Sequence, residues 1–182
     1  MSERDDNDIL KDFRNPSLTN FAFNELINKY KVGLYWHIRK ILINHDDTND
    51  ILQNTFIKIW KGLTNFQGES KLYTWLYRIA TNESLTFLQQ KKKDFFTRVD
   101  STNNELILKL ESDPYFDGNK AQLKLQQAIL QLPDKQRLVF NMRYFDEMSY
   151  EDMSDVLGTS EGALKASYHF AVKKIEEFLK RD

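Results

Sequence analysis

The sequence contains no cysteine, which excludes disulfides, thiolate nucleophiles and cysteine-ligated zinc and fits a reducing compartment. It has only three prolines, Pro16, Pro114 and Pro133, and six glycines in 182 residues. That is too little punctuation for a fold of many short strands. No apolar run approaches the ~20 residues of a membrane helix, and the opening "MSERDDNDILKDF" is acidic where a secretory signal would be basic and then apolar. A Gly-rich phosphate loop and a Walker lysine are both missing, and His37, His45 and His169 are too scattered for a metal site. "HDD" at 45–47 reads as a helix start rather than a metal cluster. No catalytic residue, metal or cofactor is therefore assigned, and the expectation is a cytoplasmic protein that is not an enzyme.

What is present is helical periodicity. Hydrophobic residues make up 41% of the chain, enough to build real cores, and they recur at helical rather than strand spacing. The fold class expected is all-α: two small helical domains joined by a flexible acidic linker. In the first, Phe23, Leu26, Ile27, Tyr30, Leu34, Ile38 and Leu42 mark a long helix, with His37, Arg39 and Lys40 among its polar positions. "HDDTND" ends it and starts another, Asp47 or Thr48 being the expected N-cap. Leu52, Phe56, Ile59, Trp60 and Leu63 give that next helix its apolar stripe, and Asp50, Gln53, Asn54 and Lys58 its other face. The loop "GLTNFQGES" leads to a helix whose buried stripe is expected at Leu72, Trp75, Leu76 and Ile79, ending in "QQKKK" at 89–93. Terminal lysines there complement the helix dipole.

Residues 94–119 carry six Asp or Glu against Arg98 and Lys109, with Pro114 and Gly118 near the end. This is the expected linker, although "ELILKL" has the pattern of a short helix. The division is then a 1–19 acidic extension, a 20–93 domain, the 94–119 linker and a 120–182 domain. Acidic segments hide local basic ones: between 68 and 93, Lys71, Arg78, Lys91, Lys92 and Lys93 stand against Glu69 and Glu83, while the whole chain has net charge −1.

The second domain opens with Leu123, Ile129, Leu130 and Leu132, after which Pro133 starts a new helix. Ser149 with Asp152 three residues on is the aspartate form of a capping box, leading into Met153, Val156 and Leu157. Gly158 closes that short helix and Ser160 caps the last one. There Leu164, Tyr168, Ala171, Ile175 and Phe178 form the apolar stripe, opposite Gly162, Lys165, Ala166, His169 and Lys173. Two helices around a tight turn, the second beginning with small residues, make a helix-turn-helix.

Three blocks in fixed order, "D-ILQ-TF-IW", "F-GES---TWLYRIA" and "LP-KQR-VF--RYF-E-SYE-----LG-SEG-LK", give the chain its affinities. It resembles the two-domain sigma factors of bacterial RNA polymerase, in particular the extracytoplasmic-function (ECF) group, over roughly residues 20–92 and 120–180. The resemblance implies an alternative sigma factor that binds core RNA polymerase and promoter DNA and answers to an anti-sigma factor. It implies polymerase contacts at Asp50, Gln53 and Asn54, the last standing where a glutamate is usual. It implies capture of the non-template strand at the minus-ten element by Asn65, Gln67, Glu69, Ser70, Lys71, Tyr73, Tyr77 and Arg78. Trp75, on the apolar stripe, is read as core, leaving Tyr73 and Tyr77 as the base-stacking pair. At the minus-thirty-five element the implied contacts are Ser160, Glu161, Gly162, Lys165, Ala166, His169, Phe170 and Lys173, with Lys174 on the backbone and the helix N-terminus facing a phosphate. Ser167, Phe170 and Val172 replace residues that are commonly arginine, so weak intrinsic DNA binding is expected. The rival reading is a stand-alone helix-turn-helix regulator, which would be more basic and bind a palindromic site unaided.

Overall fold

The computed structural model describes residues 4–95 and 120–180. The 96–119 part of the expected linker, including "ELILKL", lies outside them. Among the described residues there are eight helices and no strand, and the chain divides into two units, Met1–Thr86 and Phe87–Asp182.

The first unit begins with a helix in the segment read from sequence as an acidic extension. Asp6 and Asp8 lie in the first turn of α1 (Asp6–Phe13), where the dipole favours them, and Ile9 and Phe13, one turn apart, are buried. α2 (Thr19–Leu42) packs against both α1 and α3 (His45–Leu63). Because α2 is enclosed on several sides, His37 and Arg39, expected at polar positions, are buried. Each is satisfied by hydrogen bonds. Thr81 Oγ1 donates to the Tyr77 carbonyl, which leaves His37 Nε2 as the donor in its 2.8 Å bond to that hydroxyl. The Arg39 guanidinium donates to the Ile43 carbonyl just past the helix end, where Ile43 adopts φ 64°. Burial lowers the Arg39 pKa from its ordinary value.

The cap of α3 is Asn44, not Asp47 or Thr48: its side chain accepts from the Asp47 N–H at 2.9 Å, and both aspartates fall in the first turn. The buried stripe of α3 is also rotated by about one residue from the expected one, comprising Thr48, Ile51, Thr55, Ile59 and Leu63. Threonine can hold such positions because its hydroxyl donates to the carbonyl four residues back, Thr48 to Asn44 at 2.6 Å and Thr55 to Ile51 at 2.7 Å. Phe56 and Trp60, displaced along with Leu52, instead meet Phe23 at 6.4 and 4.8 Å, and Trp60 meets Phe13 edge-on at 5.4 Å. These edge-to-face contacts tie α1, α2 and α3 together.

α4 (Leu72–Phe95) runs past the expected end at Lys93. It packs on the first unit through Leu72, Leu76, Tyr77, Ala80 and Thr81. Ser84, also buried, donates to the Ala80 carbonyl.

In the second unit, α5 (Lys120–Leu130) and α6 (Asp134–Tyr144) precede α7 (Tyr150–Leu157) and α8 (Glu161–Leu179). The capping reading holds: Ser149 Oγ accepts from the Asp152 N–H at 3.0 Å, Gly158 closes α7 at φ 61°, and Ser160 caps α8. The core brings Ala128, Ile129 and Leu132 against Phe140, Ala171 and Ile175, flanked by Tyr168 and Phe178 from the expected stripe.

Candidate nucleic-acid and protein interfaces

The outer face of α3 follows from its rotated stripe. With Thr55 and Ile59 inward, Asp50, Gln53 and Asn54 are all exposed, one helical turn wide. Ile57 continues this face at 45% exposure, a residue that sequence reasoning passed over. Its signal was an apolar side chain three residues beyond Asn54 and off the stripe. Lys58 beside it pairs with Glu83 of α4 at 2.5 Å.

The loop between α3 and α4 has a fixed backbone and exposed tips. Phe66 is 6% exposed, with its ring 5.1 Å from that of Trp75. Trp75 in turn lies over Gly62, where an added Cβ would stand 3.0 Å from the indole. The Phe66 N–H donates to the Leu63 carbonyl at 3.2 Å, and its carbonyl accepts from Arg14 Nη2 at 3.1 Å. Gly68 turns the chain at φ 79°, a conformation glycine adopts without strain. Asn65, Gln67, Glu69 and Lys71 are exposed as a result, while Ser70 is half-buried with its Oγ buried and unpartnered.

On α4 the pair expected to stack on bases divides. Tyr77 is 6% exposed and its ring is enclosed between Tyr73, at 4.3 Å, and His37, at 4.9 Å. It is a core residue whose hydroxyl end lies over Gly33 of α2, where an added Cβ would stand 2.7 Å away. Tyr73 and Arg78 are half-buried and remain at the surface, and Trp75 is half-buried against the loop.

In the second unit, Ser160, Glu161, Gly162, Lys165, Ala166, His169, Phe170 and Lys173 are all exposed along α8. The N-terminal half of α8 thus presents one continuous surface. Lys165 does not project alone. Its Nζ is 3.0 Å from Glu161 Oε2 and 5.4 Å from the centre of the Tyr150 ring. Arg143 approaches the same ring at 5.1 Å and donates to the Met148 carbonyl at 3.0 Å. Tyr150 therefore joins two cations by cation–π attraction. Tyr150 and Arg143 escaped the sequence reading, since neither lies on the recognition helix. Phe170 is 54% exposed, suited to apolar contact with a thymine methyl.

Among the described residues no three His, Cys, Asp or Glu side chains gather as a metal site, and no helix is long and apolar enough to cross a membrane.

These surfaces fall within matched regions. Residues 26–94 match the family model Sigma-70 region 2, and residues 122–175 match Sigma-70, region 4. The chain is similar to the ECF RNA polymerase sigma factor SigW of Bacillus subtilis, with 32% identity over 157 residues, 81% of this chain and 83% of that protein. It is 28% identical over 165 residues to the ECF RNA polymerase sigma-E factor of Escherichia coli, covering 85% of each. In fold it is similar to the sigma factor RpoE of Bartonella quintana, solved with the anti-sigma factor NepR, at TM-score 0.72 and 22% identity over 88% of this chain and 98% of that one. CnrH, solved with the cytosolic domain of CnrY, gives TM-score 0.67 and 22% identity over 96% of each chain. With both sigma-70 regions in order and a SigW-like sequence across four-fifths of its length, the chain belongs to the ECF sigma factors, which direct RNA polymerase to promoters.

Proposed function

We propose that this sigma factor grips the largest subunit of core RNA polymerase with the outer face of α3, through Asp50, Gln53, Asn54 and Ile57. In this reading the 20–93 domain traps the non-template strand of the minus-ten element, and the 120–182 domain lays the N-terminal half of α8 in the major groove of the minus-thirty-five element. Melting follows from trapping: once bases are unstacked, a polar loop holds their edges and nearby cations hold their phosphates. Asn65, Gln67, Glu69 and Ser70 supply the edges, and Lys71 and Arg78 the charge, with the exposed side of Tyr73 available for stacking. The observation that carries the reading is the loop itself, whose backbone is anchored at Phe66 while Asn65 and Gln67 on either side face solvent.

On this reading the chain performs no covalent chemistry, works in the cytoplasm beside the polymerase, and is held inactive by an anti-sigma factor, as RpoE and CnrH are solved with NepR and CnrY. The test is reconstitution: core polymerase plus the purified chain transcribes from a promoter selected out of a randomised duplex library, and neither does so alone. Tight binding of a palindromic duplex by the chain without polymerase would instead establish the stand-alone regulator.

A further inference from the structure

α1 lies outside the matched residues 26–94, yet it reaches the loop assigned to the minus-ten element. Its N-terminal end is pinned to α2: Lys29 Nζ is 2.9 Å from Asp6 Oδ1, and the Tyr30 hydroxyl donates to the same carboxylate at 2.7–2.8 Å. Ile9 and Phe13 bury one face of the helix from its middle to its C-terminal end. Arg14, its C-cap, is itself exposed and spans 52 residues of sequence to donate to the Phe66 carbonyl. That carbonyl belongs to the peptide joining Phe66 to Gln67, so the bond sets the plane from which Gln67 departs. The Phe66 ring and N–H are already fixed by Trp75 and Leu63. Arg14 supplies the remaining restraint.

We infer that Arg14 is a positioning residue for promoter opening: it holds the Phe66–Gln67 peptide so that Asn65 and Gln67 meet an unstacked base without first paying the entropy of ordering the loop. This rests on the loop's assignment to the minus-ten element.

The experiment compares wild-type holoenzyme with holoenzymes carrying Arg14→Met, Arg14→Lys and Asn65→Ala, on the selected promoter and on copies mutated at single minus-ten positions. Permanganate reactivity of unpaired thymines reads opening, and thermal melting of each chain reads folding. Arg14→Met keeps the aliphatic stem and removes the donor. It is expected to lower the open-complex equilibrium roughly fivefold and to flatten discrimination between minus-ten variants, with polymerase binding unchanged, melting lowered by only a few degrees and Arg14→Lys recovering much of the loss. Unchanged opening by Arg14→Met while Asn65→Ala is impaired overturns the inference alone. If Asn65→Ala also opens normally, the assignment of the loop itself fails. A loss that leaves base discrimination intact and reduces the salt slope by about one unit marks Arg14 as a phosphate contact and likewise overturns it.

Discussion

Replacing Glu161 with glutamine tests whether its carboxylate competes with DNA when α8 docks as proposed. In the free protein Glu161 lies one residue after the Ser160 cap and 3.0 Å from Lys165, the two side chains 48% and 57% exposed. An exposed pair of this kind at i, i+4 contributes about 0.3–0.5 kcal/mol, and the carboxylate near the helix N-terminus adds about 0.3–1 kcal/mol through the dipole. Both are lost in Glu161→Gln, so the second unit is expected to weaken by about 1 kcal/mol. Binding should move the opposite way. A phosphate at the N-terminus of α8 would stand on the order of 6 Å from this carboxylate, a repulsion of about 0.7 kcal/mol even at the dielectric of water. Removing it, and releasing Lys165 for a phosphate, is expected to tighten holoenzyme binding to the minus-thirty-five duplex about five- to tenfold. The slope of log K against log salt should become steeper by about 0.9 as one more counterion is released. Titration of holoenzyme onto labelled promoter at several salt concentrations measures both quantities. Unchanged affinity and slope would refute the competition, and a loss confined to sites with one particular cytosine would show that Glu161 reads that base through its N4 donor.

Other surfaces and contacts carry their own expectations. Asn54→Glu adds a charge-assisted partner on the exposed face of α3 and should tighten holoenzyme formation about fivefold, whereas Gln53→Ala should weaken it, as read by competition for limiting core polymerase. Gly33→Ala would place a Cβ 2.7 Å from the Tyr77 hydroxyl. It should destabilise the first unit by about 1–3 kcal/mol in denaturant unfolding, with most of the cost relieved in a Tyr77→Phe background. Burial pushes the Tyr168 hydroxyl above its ordinary value, with Tyr150 the next cause. Since the raised pKa belongs to the folded state, this contribution is complete below about pH 10 and is lost as pH rises through the raised value. Alkaline unfolding should therefore be shallower in Tyr168→Phe than in the wild type.

The helices of the second unit were legible because their ends are written in short local chemistry. Ser149, Gly158 and Ser160 each act within three or four residues of where they stand. The first unit was harder to read for a reason visible in α3. Periodicity sorts residues by polarity, and Thr48 and Thr55 are polar by type yet apolar in effect once their hydroxyls are bonded to their own helix. A stripe chosen from apolar residue types passes over them, and so stands turned by one position, toward Phe56 and Trp60. Tyr77 misled in the same way: a phenol off the apolar stripe suggests a surface ring, but Gly33 on α2 opens the space that takes it. α1 was missed because its eight residues bury only Ile9 and Phe13, too few to show a helical period. Of the site, exposure on α3 and α8 followed from spacing, while the loop was singled out by the family resemblance. The restraint on the loop, Arg14 on Phe66, is long-range, and no sequence period encodes it, whereas the Glu161–Lys165 pair stands at i, i+4, a spacing that the sequence does carry.

A DNA-binding protein of net charge −1 is reasonable if its cations are not meant to suffice alone. Lys165, Lys173 and Lys174 of α8 are exposed, and the first already has a carboxylate partner. Two or three phosphate contacts leave binding near the non-specific range of about 10⁻⁴–10⁻⁶ M with a salt slope no steeper than about −3. If polymerase holds it together with the proposed minus-ten contacts, the same surface would act at a high effective concentration and gain several orders of magnitude with no new contact. The isolated chain should therefore show a shallow slope and little preference for the promoter duplex, while the holoenzyme shows both a steep slope and selectivity. Nanomolar, sequence-specific binding by the chain alone in gel shift at physiological salt would mean that α8 is self-sufficient, and the division of labour with polymerase would have to be abandoned.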